Sequence, residues 1–316
     1  MTGFLLVNPR AGDARPRPDE LAERACELGV EPHLLRDGED AVEVARTADA
    51  EALGIAGGDG SLAAVASVAL ERDLPFVCVP YGTRNHFARD LGLDRDDPLA
   101  ALRAFGGREH RIDVGRVGDR LFLNNVSLGL YARLVHRREH HRRRREALAQ
   151  LRALAIVARD RDPLGLSVDG RPVTARVVLV ANNSYALDLL SLGERPRLDE
   201  GRLHLYVPRG LVRHAWLERN AERFVVDAAA GRVAAAVDGE PDELETPVEF
   251  RVEPRALRVL LPDTMARSER GGGMHDQPEP TEEEQEQAAT PRLQEEEAKG
   301  GHGHADPPDA EERDEE

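Results

Sequence analysis

Apolar and polar residues alternate along the first part of the chain in a way that predicts strands followed by helices. Short apolar runs at Phe4–Val7, Ala52–Ala56 and Phe76–Pro80 are separated by segments whose apolar residues have helical spacing. Strands that alternate with helices are typical of βαβ units around a mostly parallel sheet. We therefore predict an α/β domain over residues 1–110, with the loops that follow its strands gathered at one ligand-binding edge.

After residue 110 the pattern changes to short strand-like segments separated by turns such as Gly118-Asp119 and Asp169-Gly170. This pattern is typical of an antiparallel sheet or sandwich. Two stretches with helical spacing, at roughly 130–158 and 211–222, interrupt it. We predict a second, all-β domain over residues 111–262.

Residues 263–316 contain few apolar side chains and most of the negative charge. The chain has a formal net charge of −16, and −13 of it lies in this tail. A segment so acidic and so poor in apolar residues cannot bury a core, so we predict that it is disordered. The 262 residues before it are long enough for one large domain or two medium ones.

Composition excludes several classes of protein. The single lysine, Lys299, lies in the tail, so neither a Walker A loop nor the strand lysine of a protein kinase can be present. Phosphate groups must therefore be bound by backbone N–H groups, arginine or a metal ion. Two cysteines, Cys26 and Cys78, exclude a disulfide scaffold and a Cys-rich zinc module. The apolar run near the N-terminus is too short for a signal peptide, and we expect a cytoplasmic protein.

The segment Gly57-Gly58-Asp59-Gly60-Ser61 follows a predicted strand and opens a predicted helix, which Ser61 is expected to cap. Its glycines let the backbone approach a ligand closely, and the N-terminus of a helix offers N–H groups and a partial positive charge to a phosphate. Asp59 could then serve a magnesium ion or a reacting hydroxyl group. The alternative interpretation is a tight strand–helix turn in which Asp59 is a cap.

Two further glycine-containing turns follow predicted strands, Asn8-Pro9-Arg10-Ala11-Gly12 and Pro80-Tyr81-Gly82-Thr83-Arg84-Asn85. Because the carboxyl ends of parallel strands meet at one edge of a sheet, we expect these turns to face Gly57–Ser61 across a crevice. Thr83 and Asn85 would supply neutral hydrogen-bonding groups. The alternative role for Thr83 is the cap of the following helix.

These turns and the downstream segment Asp238-Gly239-Glu240 together resemble the diacylglycerol kinase catalytic-domain family, which includes bacterial lipid kinases and sphingosine kinases and is more remotely similar to NAD kinases. The shared motifs include Gly82-Thr83-x-Asn85-x-Phe87-Ala88 and run in order through residues 1–262. The resemblance implies a Rossmann-like α/β nucleotide domain, a C-terminal antiparallel β-sandwich and an active site in the cleft between them. It also implies a kinase that uses ATP and Mg²⁺ to phosphorylate diacylglycerol or a related lipid alcohol.

Position by position, the resemblance assigns ATP binding to Asn8, Gly57, Gly58, Asp59, Gly60, Ser61, Thr83 and Asn85. It assigns magnesium to Asp59, to Asp113 and, in the loop 197–203, to Glu200. It makes Glu240 the general base that accepts the proton of the lipid hydroxyl, with Asp59 as the second catalytic residue. From the residues alone, Asp113 could instead be a strand-end cap, Asp238-Gly239 a hairpin turn and Glu200 a solvated loop acid.

The sequence departs from the family pattern at two positions that matter for catalysis. Ala63 stands where the family usually has asparagine, and His86 stands where it usually has aspartate. These changes leave two alternatives open: a catalytically impaired relative that binds nucleotide or lipid, and an activity like that of NAD kinases.

Residues 133–145 form the densest basic run of the chain and precede an amphipathic stretch. Such a segment is attracted to anionic headgroups, so we expect peripheral membrane association, with a lipid substrate at the membrane surface and anionic lipid bound by this run. The chain has few aromatic residues to interleave with these charges, and we expect no nucleic-acid partner. A solvated helix face is the alternative, and a homodimer stays open.

Overall fold

A computed structural model describes residues 2–12, 15–83, 85–129, 165–175, 177–186, 194–208 and 216–263, which lie within one compact unit over Met1–Glu269. The predicted helix at 130–158, the basic run 133–145 and the tail beyond residue 263 lie outside the described residues. Among the helices that are described, none is long and apolar enough to cross a membrane.

The first part of the chain has the predicted alternation of strands and helices. Its elements are β1 (Gly3–Val7), α1 (Pro18–Glu27), β2 (Val30–Leu34), α2 (Ala41–Thr47), β3 (Ala52–Gly57), α3 (Asp59–Glu71), β4 (Phe76–Pro80), α4 (His86–Asp90), α5 (Pro98–Ala101) and a 3-10 helix (Leu102–Gly106). The four strands are parallel in the order β2-β1-β3-β4. The turns that follow β1, β3 and β4 therefore emerge at the same edge of the sheet. We call the described residues of 2–106 the α/β lobe.

The second part consists of strands. They are β5 (Arg108–Val117), β6 (Arg120–Phe122), β7 (Asn125–Gly129), β8 (Leu166–Val168), β9 (Arg171–Val173), β10 (Val177–Asn182), β11 (Leu203–Pro208), β12 (Trp216–Ala221), β13 (Arg223–Ala228), β14 (Arg232–Val237), β15 (Glu240–Glu245) and β16 (Val248–Leu261). Six of them form an antiparallel sheet in the order β12-β11-β10-β7-β14-β15. We call the described residues of 120–245 the sandwich lobe.

The long strand β16 connects the two parts through one continuous sheet. Its first half pairs antiparallel with β13, and Val259 near its end pairs parallel with Phe76 of β4. The register of β16 against β5 shifts between Glu253 and Leu257, where Arg255 has a φ of 49°. The sequence pattern predicts two strands here, over residues 248–253 and 256–261, but the structure has one strand with a bulge. The predicted boundary at residue 110 falls within β5.

Each lobe has its own apolar core. In the α/β lobe, side chains such as Leu6, Ile55 and Leu62 are buried between the sheet and its helices. In the sandwich, Phe122, Phe224 and Phe250 belong to a core enclosed by the long sheet and the six-stranded sheet. The predicted fold class, an α/β part followed by an antiparallel all-β part, is confirmed.

The helix predicted near 211–222 is wrong for the residues that the structure describes there. Residues 216–221 form β12, which pairs antiparallel with β11. Leu217 and Ala221 both pack against the sandwich core. A spacing of four residues fits the strand period of two as well as the helical period, so the pattern alone could not distinguish them.

Candidate active site

The three glycine turns meet at the carboxyl edge of the parallel strands. A Cβ atom built on Gly82 would lie 2.6 Å from the Cα atom of Gly58, and one built on Gly12 would lie 2.6 Å from the carbonyl oxygen of Tyr81. Gly12 also has a φ of +58°, in the left-handed region. The turn after β4 is therefore in contact with the turns after β1 and β3, and a side chain at Gly82 or Gly12 would separate them.

Helix α3 begins within the central glycine turn. Gly58 is its N-cap residue, and Asp59 is its first helical residue. Ser61 does not cap the helix: it lies in the first turn, and its Oγ donates a hydrogen bond to the Gly58 carbonyl oxygen at 2.9 Å. The first N–H groups of any α-helix lack acceptors within the helix. Here they point to the edge where the three turns meet.

Asp59 connects the turn after β3 to the helix after β4. Its carboxylate accepts hydrogen bonds from the backbone N–H groups of His86 at 3.4 Å and Phe87 at 3.2 Å. Asp59 thus caps α4 instead of its own helix. A carboxylate has about four lone-pair sites, so two such bonds leave capacity for a cation.

Asn85 shapes the turn that was predicted to contact ATP. Its amide is buried, accepts from the Gly82 N–H at 2.8 Å and donates to the Gly82 carbonyl oxygen at 3.0 Å. Thr83 is exposed at the tip of the same turn. The Asn8 side chain accepts from the Arg10 N–H at 3.1 Å and closes the turn after β1.

Glu240 reaches this edge from the sandwich lobe. Strands β14 and β15 are joined by Asp238 and Gly239, which have φ angles of 48° and 88°, the conformation of a type I′ hairpin turn. Glu240 follows and is exposed. A Cβ atom on Gly60 would lie 2.6 Å from the Glu240 Oε1 atom and 2.7 Å from its Cγ atom. The Glu240 side chain therefore lies against the first turn of α3, next to Asp59.

Asp238 fixes the hairpin turn that carries Glu240. Its buried carboxylate accepts hydrogen bonds from the N–H groups of Leu123 at 2.7 Å, Asn124 at 2.8 Å and Asn125 at 3.1 Å. Burial, together with the negative charge of Asp59, raises the pKa of Asp238 to about 6, although the three N–H donors act to lower it. The hairpin turn foreseen from Asp238-Gly239 is present, and its aspartate also anchors a distant segment.

Asp238 gives a testable dependence of stability on pH. Its folded pKa of about 6 lies above the ordinary value of 3.8, so the unfolded chain releases this proton first as the pH rises. The protonated Asp238 therefore contributes its full stabilisation below pH ~4. As the pH rises through ~6 this contribution is lost, and the free energy of unfolding decreases by at most about 3 kcal/mol. Because Asp238→Asn cannot ionise, we expect the stability difference between wild type and variant, measured by urea unfolding, to be larger at pH 4 than at pH 7.

Asp227→Asn is the control for this measurement, since Asp227 is exposed on β13. Its effect should be small at both pH values. An Asp238→Asn difference that does not change between pH 4 and pH 7 would contradict the assignment.

The Asp113 carboxylate is held by two backbone N–H groups that lie outside the glycine turns. This buried carboxylate accepts from the N–H groups of Gly201 at 2.6 Å and Arg255 at 2.8 Å, so it joins the loop 197–203 to the bulge of β16. Burial raises the pKa of Asp113 above its ordinary value, and these donors only partly oppose this. The structure brings Asp113 together with the loop of Glu200, and its hydrogen bonds do not extend to Asp59.

Glu200 is half-buried and its carboxylate already has partners. It accepts from the Ser184 N–H at 3.0 Å and from the Ser184 hydroxyl, and it lies 3.0 Å from the His204 Nε2 atom. It is therefore not the solvated loop acid of the alternative interpretation. Among the described residues, no group of three or more His, Cys, Asp or Glu side chains is arranged to hold a metal ion.

One buried ion pair in the site had no signal in the sequence. The side chains of Asp90, at the end of α4, and Arg195 are fully buried, with the Arg195 Nε atom 2.6 Å from Asp90 Oδ2. The two residues are 105 positions apart, and neither lies in one of the glycine-containing motifs. Only their contact in the folded chain identifies them.

Comparisons with known proteins identify a matching family model and several similar proteins. Residues 2–117 match the model of the diacylglycerol kinase catalytic domain. The chain is 35% identical over 131 residues to the probable lipid kinase YegS-like of Pseudomonas fluorescens, and 32% identical over 142 residues to the diacylglycerol kinase of Bacillus subtilis. These matches cover 40% and 42% of this chain and only 44% and 47% of the relatives, which is less than half of their length.

A solved structure extends the similarity in fold to the sandwich. The crystal structure of a diacylglycerol kinase from Bacillus anthracis superposes with a TM-score of 0.61 at 16% sequence identity, over 82% of this chain and 96% of that one. At this identity the likeness concerns the fold alone. Together with the family match, it confirms the resemblance seen in the motifs: residues 2–117 of this chain match the diacylglycerol kinase catalytic domain.

Proposed function

We propose that this protein is an ATP- and magnesium-dependent lipid kinase that transfers the γ-phosphate of ATP to the hydroxyl group of diacylglycerol or a related lipid alcohol. The observation that carries the proposal is the position of Glu240 against Gly60. A carboxylate from the sandwich lobe thereby faces a glycine turn of the α/β lobe, where a kinase needs a proton acceptor and a phosphate site.

The glycine turn fits the phosphates of a nucleotide. Among the residues that the structure describes, a Cβ atom on Gly58 would have only the Gly82 Cα atom within 4 Å, at 3.8 Å, so these residues leave the space in front of the turn open. The N–H groups at the start of α3 and the positive end of its dipole favour an anion there. Ser61 adds a hydroxyl group in the same turn. In a chain whose only lysine is Lys299, these groups supply the phosphate contacts.

Asp59 fits a magnesium ion at the same place, because the two backbone N–H bonds that its carboxylate accepts from α4 occupy only part of its capacity and carboxylate oxygens are ligands that Mg²⁺ prefers. A bound magnesium ion would neutralise charge on the phosphoryl group during transfer. Asp113 and Glu200 belong to a separate group around the loop 197–203. We therefore assign to Asp59 the ion that accompanies the nucleotide, and to the loop at most a second one.

Glu240 supplies the general base. A lipid hydroxyl that approaches from the sandwich side would lose its proton to the Glu240 carboxylate while its oxygen forms the new bond to the γ-phosphorus. The bond from that phosphorus to the bridging oxygen breaks, and ADP leaves with the electron pair. The exposed position of Glu240 leaves it accessible to the hydroxyl.

The test is phosphate transfer from labelled ATP to a mixed lipid extract in the presence of Mg²⁺, with the products identified by mass. We expect a labelled phospholipid with wild type and almost none with Glu240→Ala. Transfer to NAD instead of lipid would establish the NAD kinase-like alternative. Binding of ATP without any labelled product would establish a non-catalytic relative.

One observation favours that non-catalytic relative as the second candidate. His86 stands where the family usually has an acid, and its backbone N–H group donates a hydrogen bond to the Asp59 carboxylate. Ala63, the other departure, packs against the core of the α/β lobe. Alanine at position 63 is therefore compatible with an intact glycine turn. The hypothesis of a non-catalytic relative thus depends on the histidine at position 86.

We further propose that the basic run 133–145, which lies outside the described residues, binds anionic lipid and brings the protein to the membrane. Replacing the four arginines Arg142, Arg143, Arg144 and Arg145 by glutamine should lower partitioning onto phosphatidylserine-containing vesicles by up to about 10³-fold, since each basic residue near such a surface contributes about 1 kcal/mol. Sedimentation with vesicles measures this. The matched control replaces four exposed arginines elsewhere, namely Arg103, Arg171, Arg202 and Arg232. An equal loss in both variants would contradict a specific role for the run.

A further inference from the structure

The buried Asp90–Arg195 pair lies between the two groups of residues that the proposed reaction needs. Asp90 ends α4, the short helix whose first N–H groups are held by Asp59. Arg195 belongs to the chain segment that precedes the loop 197–203. The pair therefore joins the glycine-turn side of the cleft to the sandwich lobe.

Four hydrogen bonds from the guanidinium of Arg195 make this connection. Besides Asp90, it donates to the carbonyl oxygen of Leu123 at 2.7 Å, to the Asn124 Oδ1 atom at 2.6 Å and to the carbonyl oxygen of Asn182 at 3.1 Å. It also lies over the Tyr185 ring, 5.7 Å from the centroid. A planar fork with fixed donor directions holds all these acceptors in one arrangement, which a lysine could not do.

Arg195 and Asp238 both bind the segment of residues 123–125. Arg195 binds the carbonyl oxygen of Leu123 and the side chain of Asn124, while Asp238 binds the N–H groups of Leu123, Asn124 and Asn125. Asp238 begins the two-residue turn before Glu240, whose side chain lies on Gly60 beside Asp59. The contacts thus form a closed ring from Asp59 through α4, Arg195 and Asp238 back to Glu240.

We propose that Arg195, paired with Asp90, is a positioning residue that holds Glu240 in place over the glycine turn; this rests on the proposed lipid kinase function. Desolvation makes a buried ion pair a weak source of stability, whereas a fixed distance between the base and the phosphate site matters strongly for turnover. A misplacement of about 1 Å can lower a rate about 10²-fold. The pair therefore acts on geometry, through residues that touch neither nucleotide nor lipid.

The kinetic test is a double-mutant cycle with Glu240. Arg195→Met should lower kcat by about 10- to 100-fold and change the KM for ATP by less than about threefold, because the glycine turns are untouched. In the Glu240→Gln background the same substitution should lower kcat by less than about threefold, since there is no base left to position. A general loss of structure would reduce activity equally in both backgrounds, and that result would overturn the proposal.

A second measurement does not depend on activity. Spin labels at Glu71→Cys on α3 and Glu245→Cys on β15, in a Cys26→Ser background, report the distance between the glycine-turn helix and the hairpin by pulsed electron resonance. The labelled positions are exposed and the remaining Cys78 is buried. We expect a narrow distance distribution in wild type and a broadened one in Arg195→Met. An unchanged distribution would overturn the proposal whether or not the protein phosphorylates lipid.

Two further variants are controls for misfolding and for the loss of an ion pair elsewhere in the protein. Arg195→Lys keeps a positive charge beside Asp90 but loses the planar fork, so it should fold and still broaden the distribution. Arg116→Met removes the pair with Glu253 within the long sheet and should leave both kcat and the distribution unchanged. If Arg195→Lys matches wild type in both measurements, the fork geometry is not used and the proposal is wrong.

Discussion

Glu240→Gln is expected to lower lipid phosphorylation by roughly 10²–10⁴-fold, the usual contribution of a general base. Glutamine keeps the size and hydrogen bonding of the side chain but cannot accept the proton of the attacking hydroxyl. ATP affinity should stay nearly unchanged, because the nucleotide is bound by the turns of the α/β lobe. Steady-state kinetics with the lipid identified from the mixed extract, together with calorimetry of ATP binding, measures both quantities.

Glu243→Gln is the matched control, since Glu243 is an exposed acid of the same hairpin strand. It removes an equal charge three residues away and should leave turnover close to wild type. If Glu240→Gln phosphorylates lipid at the wild-type rate, Glu240 is not the base. Asp59 is then the first residue to test, because it is the nearest other carboxylate of the turn.

Gly58→Val is expected to abolish ATP binding in the range where wild type binds. The valine methyl groups would fill the open space in front of the turn and deny a phosphate the N–H groups at the start of α3. Loss of two charge-assisted hydrogen bonds of about 1.5–3 kcal/mol each corresponds to a decrease in affinity of roughly 10²–10⁴-fold. Calorimetric titration with ATP measures it.

The choice of Gly58 keeps this experiment interpretable. Its Cβ atom meets no neighbour closer than 3.8 Å, whereas one on Gly82 would lie 2.6 Å from the Gly58 backbone and disturb the fold. Gly106→Val is the control, because no described residue lies within 4 Å of a Cβ atom there. Retained ATP affinity in Gly58→Val, with a native circular dichroism spectrum, would contradict the assignment of the phosphate site.

The local sequence pattern was sufficient to predict the strands of the α/β lobe, but it was insufficient to predict the hairpin strand β15 of the sandwich lobe. Strands β1, β3 and β4 are buried along their whole length and are therefore continuous apolar runs between turn residues. Strand β15 has the sequence EPDELE and no apolar alternation. It exists because β14 offers a pairing edge, as in the register of Ala235 with Asp242. No periodicity within the segment could predict it.

Sequence motifs also could not show which backbone groups hold Asp113. The resemblance placed Asp113 and Asp59 in one magnesium network, whereas the fold puts the Asp113 carboxylate on Gly201 and on the bulge of β16. The bulge depends on the register between the strands β5 and β16. Because register depends on both strands together, the sequence of either strand alone does not predict it. The metal role of Asp113 stays a prediction, with its partners now defined.

The sequence by itself determined the order of elements in the α/β part, the three glycine turns and the resemblance to the diacylglycerol kinase catalytic domain over residues 2–117, because each of these depends on residues that are neighbours in the chain. Neighbouring residues determine the backbone conformation of a turn and the position where a helix begins, so a short sequence motif is enough to predict both. The tertiary structure alone decided that Glu240 lies on Gly60, that Asp238 holds residues 123–125 and that Asp90 meets Arg195. These contacts join residues about a hundred or more positions apart, and they form only when the packing of two sheets and one bulged strand fixes the distance between the lobes.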